Sequence, residues 1–253
     1  MNAAAEAMGK GDHPMLPRVI LHNAVSMDGR IDWFTPDIGL FYELASRWEE
    51  DATLAGSDTI LNAPDEAAED EDVSEPPKKC PDDKRPLLVV PDSQGRVRNL
   101  HVLRKQPYWR DAVALCSRST PKDYLNYLSQ RHIDYIVAGD EHVDLQAALK
   151  ELNARYGVKT GRVDSGGTLN GGLLRAGLVD EISVLLHPSL VGGTTPRSLF
   201  RAPDLTSSEG VIQLKLTHME RLAGDIVWLQ YKVAKRKRTR TRQYGNTDTK
   251  SSD

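Results

Sequence analysis

The run Val163-Asp164-Ser165-Gly166-Gly167-Thr168-Leu169-Asn170 is the segment best suited to chemistry. A strand-like stretch ends at Val163, two glycines follow, and a helical pattern begins. A helix N-terminus presents unpaired N–H groups and the positive end of the helix dipole. Glycine lets the backbone approach an anion with no Cβ in the way. Ser165, Gly166, Gly167, Thr168 and Leu169 therefore suit a phosphate or pyrophosphate, and equally a plain tight turn. The letters match neither G-x-G-x-x-G nor a Walker A loop. V-D-S-G-G also echoes the nucleophile motif of serine proteases. That reading fails because no histidine is assigned to Ser165 as a base and the surrounding pattern is α/β.

Three further segments have similar character. In His22-Asn23-Ala24-Val25-Ser26-Met27-Asp28-Gly29-Arg30-Ile31 a strand runs into a loop carrying a carboxylate, a glycine and a base. Such loops hold ligands in α/β proteins, although Asp28-Gly29 also suits an ordinary turn. Ala55-Gly56-Ser57-Asp58-Thr59-Ile60 offers a second glycine and hydroxyl contact, or an N-cap. Leu190 to Thr195 contains Gly192-Gly193, which suits a ligand approach or a flexible connection. Trp33 could stack on a flat substrate or simply pack. The seven histidines show no zinc spacing, so no metal is expected.

The elements that must position these residues follow from periodicity. Strands are expected at Arg18 to Asn23, Ala52 to Ala55, Leu87 to Val90, Ala112 to Cys116, Tyr135 to Ala138, Lys159 to Asp164 and Ile182 to Leu186. Helices are expected at Leu40 to Trp48, after the Thr120-Pro121 N-cap pair, at Asp144 to Tyr156 closed by Gly157, and at Leu169 to Ala176 closed by Gly177. Val211 to Met219 and Ile226 to Val233 read as an antiparallel pair. Alternating strands and helices predict an α/β fold with a mixed, mostly parallel sheet flanked by helices and a C-terminal antiparallel hairpin.

The 253 residues suffice for one large domain. Thirty-three basic and 36 acidic residues give a net charge of −3, which argues against nucleic acid as the partner. No apolar run is long enough to span a bilayer, so no membrane association is expected. Two cysteines, Cys80 and Cys116, cannot build a disulfide framework, which favours a reducing, cytoplasmic setting. Residues 1–17 read as a disordered tail and 18–233 as a single domain. Residues 64–86 read as an acidic flexible insertion, and 234–253 as a basic and polar disordered tail.

Taken in order, S-M-D-G-R-I at 26–31, G-S-D-T-I at 56–60, D-S-G-G-T-L-N-G-G-L-L-R-A-G-L-V-D-E-I at 164–182 and H-P-S-L-V-G-G at 187–193 form a recognisable series. They resemble the riboflavin-biosynthesis reductases of the RibD C-terminal domain type, within the dihydrofolate-reductase-like fold. The resemblance covers about residues 18 to 233, and 164–182 is its most specific block. It implies NADPH as cofactor, a homodimer, and hydride transfer to a small-molecule substrate, a ribosylamino-pyrimidine phosphate whose ribose opens to a ribityl chain. On that pattern Ser165, Gly166, Gly167, Thr168 and Leu169 hold the cofactor phosphates, and Gly56 and Thr59 lie on another part of NADPH. Asn23, Ala24, Ser26 and Asp28 line the nicotinamide and substrate pocket, with Asp28 in a polar or proton-donating role at the reacting centre; Trp33, from its position after that loop, is added as a substrate contact. The family pattern carries Asp-x-Pro and then a substrate arginine after its threonine. Here Ile60-Leu61-Asn62-Ala63-Pro64-Asp65 follow Thr59, and the next arginine is Arg85. Two other readings stay open: a dihydrofolate-like reductase of a pterin or other heterocycle, and a non-catalytic nucleotide-binding protein.

Overall fold

The computed structural model describes residues 15–62, 80, 82–194 and 197–234. Most of the expected N-terminal tail and acidic insertion, and the basic tail from residue 235, lie outside the described residues. In chain order the elements are β1 (Arg18–Ser26), α1 (Ile38–Ala45), β2 (Ala52–Leu54), α2 (Ser57–Leu61), β3 (Leu87–Pro91), α3 (Leu100–Leu103), β4 (Asp111–Cys116), α4 (Lys122–Gln130), β5 (Asp134–Val137), α5 (Leu145–Tyr156), β6 (Thr160–Val163), α6 (Gly167–Arg175), β7 (Glu181–His187), β8 (Leu214–Arg221) and β9 (Val227–Val233).

The strands form one sheet in the order β5-β4-β3-β2-β6-β1-β7-β9-β8. Pairing is parallel from β5 through β7 and antiparallel for β7 with β9 and β9 with β8. This is the mixed sheet with a terminal hairpin that the periodicity predicts. Its central strands are apolar on both faces because helices cover both. In β3, Leu87 and Val89 join one core with Leu149, Leu152 and Leu173, while Leu88 and Val90 join another with Leu100, Tyr124 and Leu128.

The topology creates the crevice. The chain leaves β1, forms β2 two places away, and later inserts β6 into the gap. Leu21 and Leu54 both pair with Val163, so β6 and β2 end level while β1 runs on past them to Ser26. Open α/β sheets bind ligands outside the carboxyl ends of strands where the strand order switches.

Three local expectations need correction. Thr120 does not cap α4, whose N-cap is Pro121. The Thr120 hydroxyl instead accepts the Ser117 N–H and donates to Ser93 O, closing its own turn. The helix α6 begins at Gly167, two residues before the expected start at Leu169, so both residues after Gly166 lie in its first turn. The expected helix from Leu40 to Trp48 is α1 followed by a 3-10 turn at Ser46–Trp48.

A buried polar chain docks α1 on the sheet. Trp228 Nε1 donates to Ser183 Oγ at 2.8 Å, and Ser183 lies 3.0 Å from His22 Nδ1. His22 Nε2 lies 3.0 Å from the Phe41 carbonyl. A carbonyl only accepts, so Nε2 carries the proton and Nδ1 receives the Ser183 hydroxyl. Burial, aided by the nearby Arg162 charge, pulls the His22 pKa down from 6.5 to about 4. Below pH 6.5 the unfolded chain binds a proton that the folded chain refuses until about pH 4. Stability from this group is therefore complete above pH 6.5 and lost as pH falls through that window, by about 3 kcal/mol in all. Thermal melts should show Tm declining from pH 6.5 to 4, with His22→Gln flattening that part of the profile. A variant that declines as steeply as the wild type would assign the loss to other groups.

Candidate functional site

A cavity of about 900 Å³ opens at the carboxyl ends of β1, β2, β3 and β6. Asn23, Ala24, Gly56, Thr59, Ser165, Gly166, Gly167, Thr168 and Leu169 all line it. Nine residues singled out from the sequence are thus brought together from three separate stretches of chain.

Ser165 ties those stretches. Its hydroxyl accepts the Gly56 N–H at 2.9 Å and lies 3.2 Å from Thr59 Oγ1. Its carbonyl accepts Asn23 Nδ2 at 2.8 Å. Asn170, fully buried, donates to Asn23 Oδ1 at 3.0 Å and to Leu199 O at 3.0 Å. A Cβ on Gly56 would stand 2.7 Å from Ser165 Oγ, so glycine is required there for the join itself.

Two helices start at this join. Gly56 caps α2 and Gly166 caps α6, and neither has a side-chain cap bond. Their first-turn N–H groups therefore lack side-chain acceptors beside the cavity. A Cβ built on Gly166 would meet nothing nearer than Ile31 Cδ1 at 3.4 Å, so the space in front of α6 is open. The donor set, the glycine and the Thr59 and Thr168 hydroxyls suit the phosphates of a dinucleotide.

Gly167 plays a different part from the one the motif suggests. A Cβ there would lie 2.2 Å from Ser198 O and 3.0 Å from Arg201 N, and one on Gly171 would lie 2.0 Å from Arg201 O. These two glycines let the 198–201 segment lie against α6, where Arg201 N donates to Gly167 O at 2.9 Å. They serve packing, and of the pair Gly166-Gly167 it is Gly166 that leaves the backbone open to the cavity.

The loop after β1 also departs from expectation. Ser26 is fully buried and donates to Asp28 at 2.6 Å. Asp28 also accepts the Val191 and Gly192 N–H groups at 3.2 and 2.6 Å. These bonds, the Ser26 one foremost, hold its pKa down to about 2. An ionised carboxylate so engaged has no proton to donate near neutral pH. Arg30 completes the clamp by donating to Gly192 O and Gly193 O at 2.9 and 2.8 Å. Asp28 and Arg30 thus pin the Gly192-Gly193 loop. Trp33, 85% exposed, lines a shallower cleft with Ser189 to Gly193. Ser26, Asp28 and Trp33 are not among the residues lining the main cavity.

Tyr42, Asp32, Arg197 and Arg201 line the cavity without belonging to any sequence motif. Tyr42 on α1 donates to Asp164 Oδ2 at 3.3 Å, and Arg162 reaches the same oxygen at 3.2 Å. Arg162 is buried in mid-sheet and bonds Glu50 at 2.7 Å. Burial, reinforced by Asp164, pushes the Tyr42 hydroxyl up to about 12, so it keeps its proton. Asp32, Arg197 and Arg201 complete the rim. The sequence signal for Asp164 was its place at the carboxyl end of a parallel strand. For the others, only the folded loops reveal the role.

The order of this mixed sheet and the crevice at its switch point are those of the dihydrofolate-reductase-like fold. The chain belongs to the RibD C-terminal domain family, whose model matches residues 17–228. It is 30% identical over 228 residues to the 2,5-diamino-6-ribosylamino-4(3H)-pyrimidinone 5′-phosphate reductase of Methanothermobacter thermautotrophicus, covering 87% of this chain and 99% of that one. The enzyme of the same name from Archaeoglobus fulgidus is 32% identical over 190 residues, 71% of this chain and 84% of the relative. The fold matches a riboflavin biosynthesis reductase structure from Saccharomyces with TM-score 0.59 at 18% identity, covering 87% and 90% of the two chains. The protein is an oxidoreductase that uses a nicotinamide cofactor.

Substitution separates the two glycines at the start of α6. Gly166→Val should weaken dinucleotide binding by roughly tenfold or more while the melting temperature stays near wild type. Gly167→Ala should lower the melting temperature by several degrees, because backbone must move. Unchanged affinity in Gly166→Val would remove the α6 N-terminus from the cofactor site.

Proposed function

We propose that this chain reduces 2,5-diamino-6-ribosylamino-4(3H)-pyrimidinone 5′-phosphate to its ribitylamino product, with NADPH as the electron donor. The observation that carries this reading is the single cavity in which two uncapped helix starts adjoin a Tyr42–Asp164 wall and two arginines. Relatives covering nearly the whole chain bear the name of this reaction.

Bound NADPH supplies the hydride that adds to C1′ of the sugar. The ring bond C1′–O4′ opens, its electron pair goes to O4′, and O4′ takes up a proton. The protein binds and orients, since the cofactor carries the hard step. Ser165, Gly166, Thr168 and Thr59 hold the phosphates of the dinucleotide, while Asn23 and Ala24 form the wall at the nicotinamide end. Tyr42, whose Oη still carries its proton at neutral pH, is the group that delivers a proton at the sugar oxygen when its hydroxyl turns from Asp164 to the substrate.

The substrate's phosphate falls to Arg197 and Arg201. These are the guanidinium groups among the described residues lining the cavity. Arg85, the next arginine after Thr59, is occupied by Asp83 and the Pro107 carbonyl.

We also infer a homodimer in the cytoplasm. The edge strand β8 leaves Leu214 and Leu216 exposed, an arrangement that invites a second copy. A purely monomeric species in sedimentation at micromolar protein would oppose the dimer. No helix among the described residues is long and apolar enough to cross a membrane.

Titration with NADPH and NADH, followed by turnover of the pyrimidinone, tests the main reading. Saturable NADPH binding with reduction of the sugar supports it. Reduction of a pterin instead would favour the dihydrofolate-like alternative, and binding without turnover of either would favour a non-catalytic role. Tyr42→Phe should lower kcat by about a hundredfold with NADPH affinity unchanged. Wild-type turnover in that variant would exclude Tyr42 as the proton source.

A further inference from the structure

Asp32 is the anomalous group of the cavity wall. Its side chain is only 14% exposed, and both carboxylate oxygens are shielded from water without a hydrogen-bond partner among the described residues. Arg197 Nε approaches one of them to 3.7 Å, a charge contact longer than a hydrogen bond. Leaving a buried carboxylate without donors is costly, and such groups persist where something else satisfies them. The backbone on both sides of Asp32 is held. Arg30 pairs with Ser198 in an antiparallel bridge, and Leu199 N donates to Gly29 O at 3.0 Å. The acid is therefore fixed in place while its oxygens lack donors.

A carboxylate with two free oxygens matches a planar edge that offers two parallel N–H donors. A 2-aminopyrimidin-4(3H)-one has that edge, with N3–H beside an exocyclic N–H. The corresponding uracil presents N3–H beside a C2 carbonyl, whose lone pairs would face the second carboxylate oxygen. A site built on hydrogen bonds rejects such an analogue strongly because its buried group is left unpaired. Arg197, 67% exposed, can turn from Asp32 toward the substrate's phosphate as the ring enters.

We propose that Asp32 is a specificity-determining residue that recognises the N3–H and 2-amino edge of the substrate ring and excludes the 2-oxo form. The inference rests on the reductase reading above.

The test compares kcat/KM for the 2,5-diamino-pyrimidinone substrate and for its 5-aminouracil counterpart, both carrying ribosylamino 5′-phosphate. The wild type should favour the diamino substrate by about tenfold or more. Asp32→Asn should bring the ratio close to one, because an amide can turn its NH2 toward a carbonyl, and NADPH affinity should stay unchanged. Arg197→Gln should keep the wild-type ratio whatever happens to both rates. Equal wild-type rates, or matching ratios in Asp32→Asn and Arg197→Gln, would overturn the proposal and leave Asp32 as a support for Arg197. If Asp32→Asn does not fold, inhibition of the wild type by the free rings decides. Then 2,5,6-triaminopyrimidin-4-one should bind at least about tenfold tighter than 5,6-diaminouracil, and equal binding would overturn the idea. Turnover of neither substrate with any nicotinamide cofactor would defeat the function itself, an outcome distinct from loss of preference.

Discussion

The Ser165 hydroxyl and carbonyl bond the loop after β2 and the end of β1 while Ser165 itself follows β6. These three strands are neighbours in the sheet although far apart in the chain. Parallel strands end in loops with no partner of their own, and without a tie the loops would move independently. With it, the starts of α2 and α6 face one cavity. Asn170 extends the tie to Leu199 and so brings in the segment that carries Arg197 and Arg201. These bonds are buried or nearly so, which fixes the join between the three loops.

The opposite wall is placed by a different device. The chain from Trp228 through Ser183 and His22 to Phe41 holds α1 to the sheet, with Phe41 and Leu44 turned to the core. Tyr42 then faces the cavity and Asp164. A mid-sheet arginine, Arg162, balances Asp164 with Glu50 below it. Each wall thus depends on a polar network that an apolar core could not replace, since apolar contact does not fix the orientation of a hydroxyl or carboxylate.

Much of this fold was legible. Strand and helix positions follow from alternation and from the turn residues Gly157 and Gly177, and the apolar runs of β3 and β4 announce burial on both faces. Errors came where a short element or a local side-chain bond overrode pattern. The helix α3 has four residues and no periodicity to read, and Thr120 bonds its own turn rather than α4. In the site, the strand-to-helix turn from Ser165 to Leu169 was legible as local structure, and the fold sets that turn on the cavity. Asp28 misled for a physical reason. A carboxylate at a strand end looks reactive, and its partners at Val191 and Gly192 lie more than 160 positions away. Asp32, Tyr42, Arg197 and Arg201 face the cavity only because loops cross there, and no spacing rule encodes that crossing.

The two glycines of α6 that admit the backbone of Arg201 have an evolutionary consequence. Neither needs a positive φ, and Gly171 is not among the residues lining the cavity. Yet an added methyl at either would collide with a carbonyl, so both positions should tolerate almost no exchange among descendants of this chain. Ranked by mutational tolerance alone, they would look like ligand contacts. The residue that faces open space, Gly166, would vary with greater freedom wherever the ligand is no longer needed. In a lineage that has lost the activity, Gly166 should drift first while Gly167 and Gly171 persist, a signature that separates retention of shape from retention of catalysis.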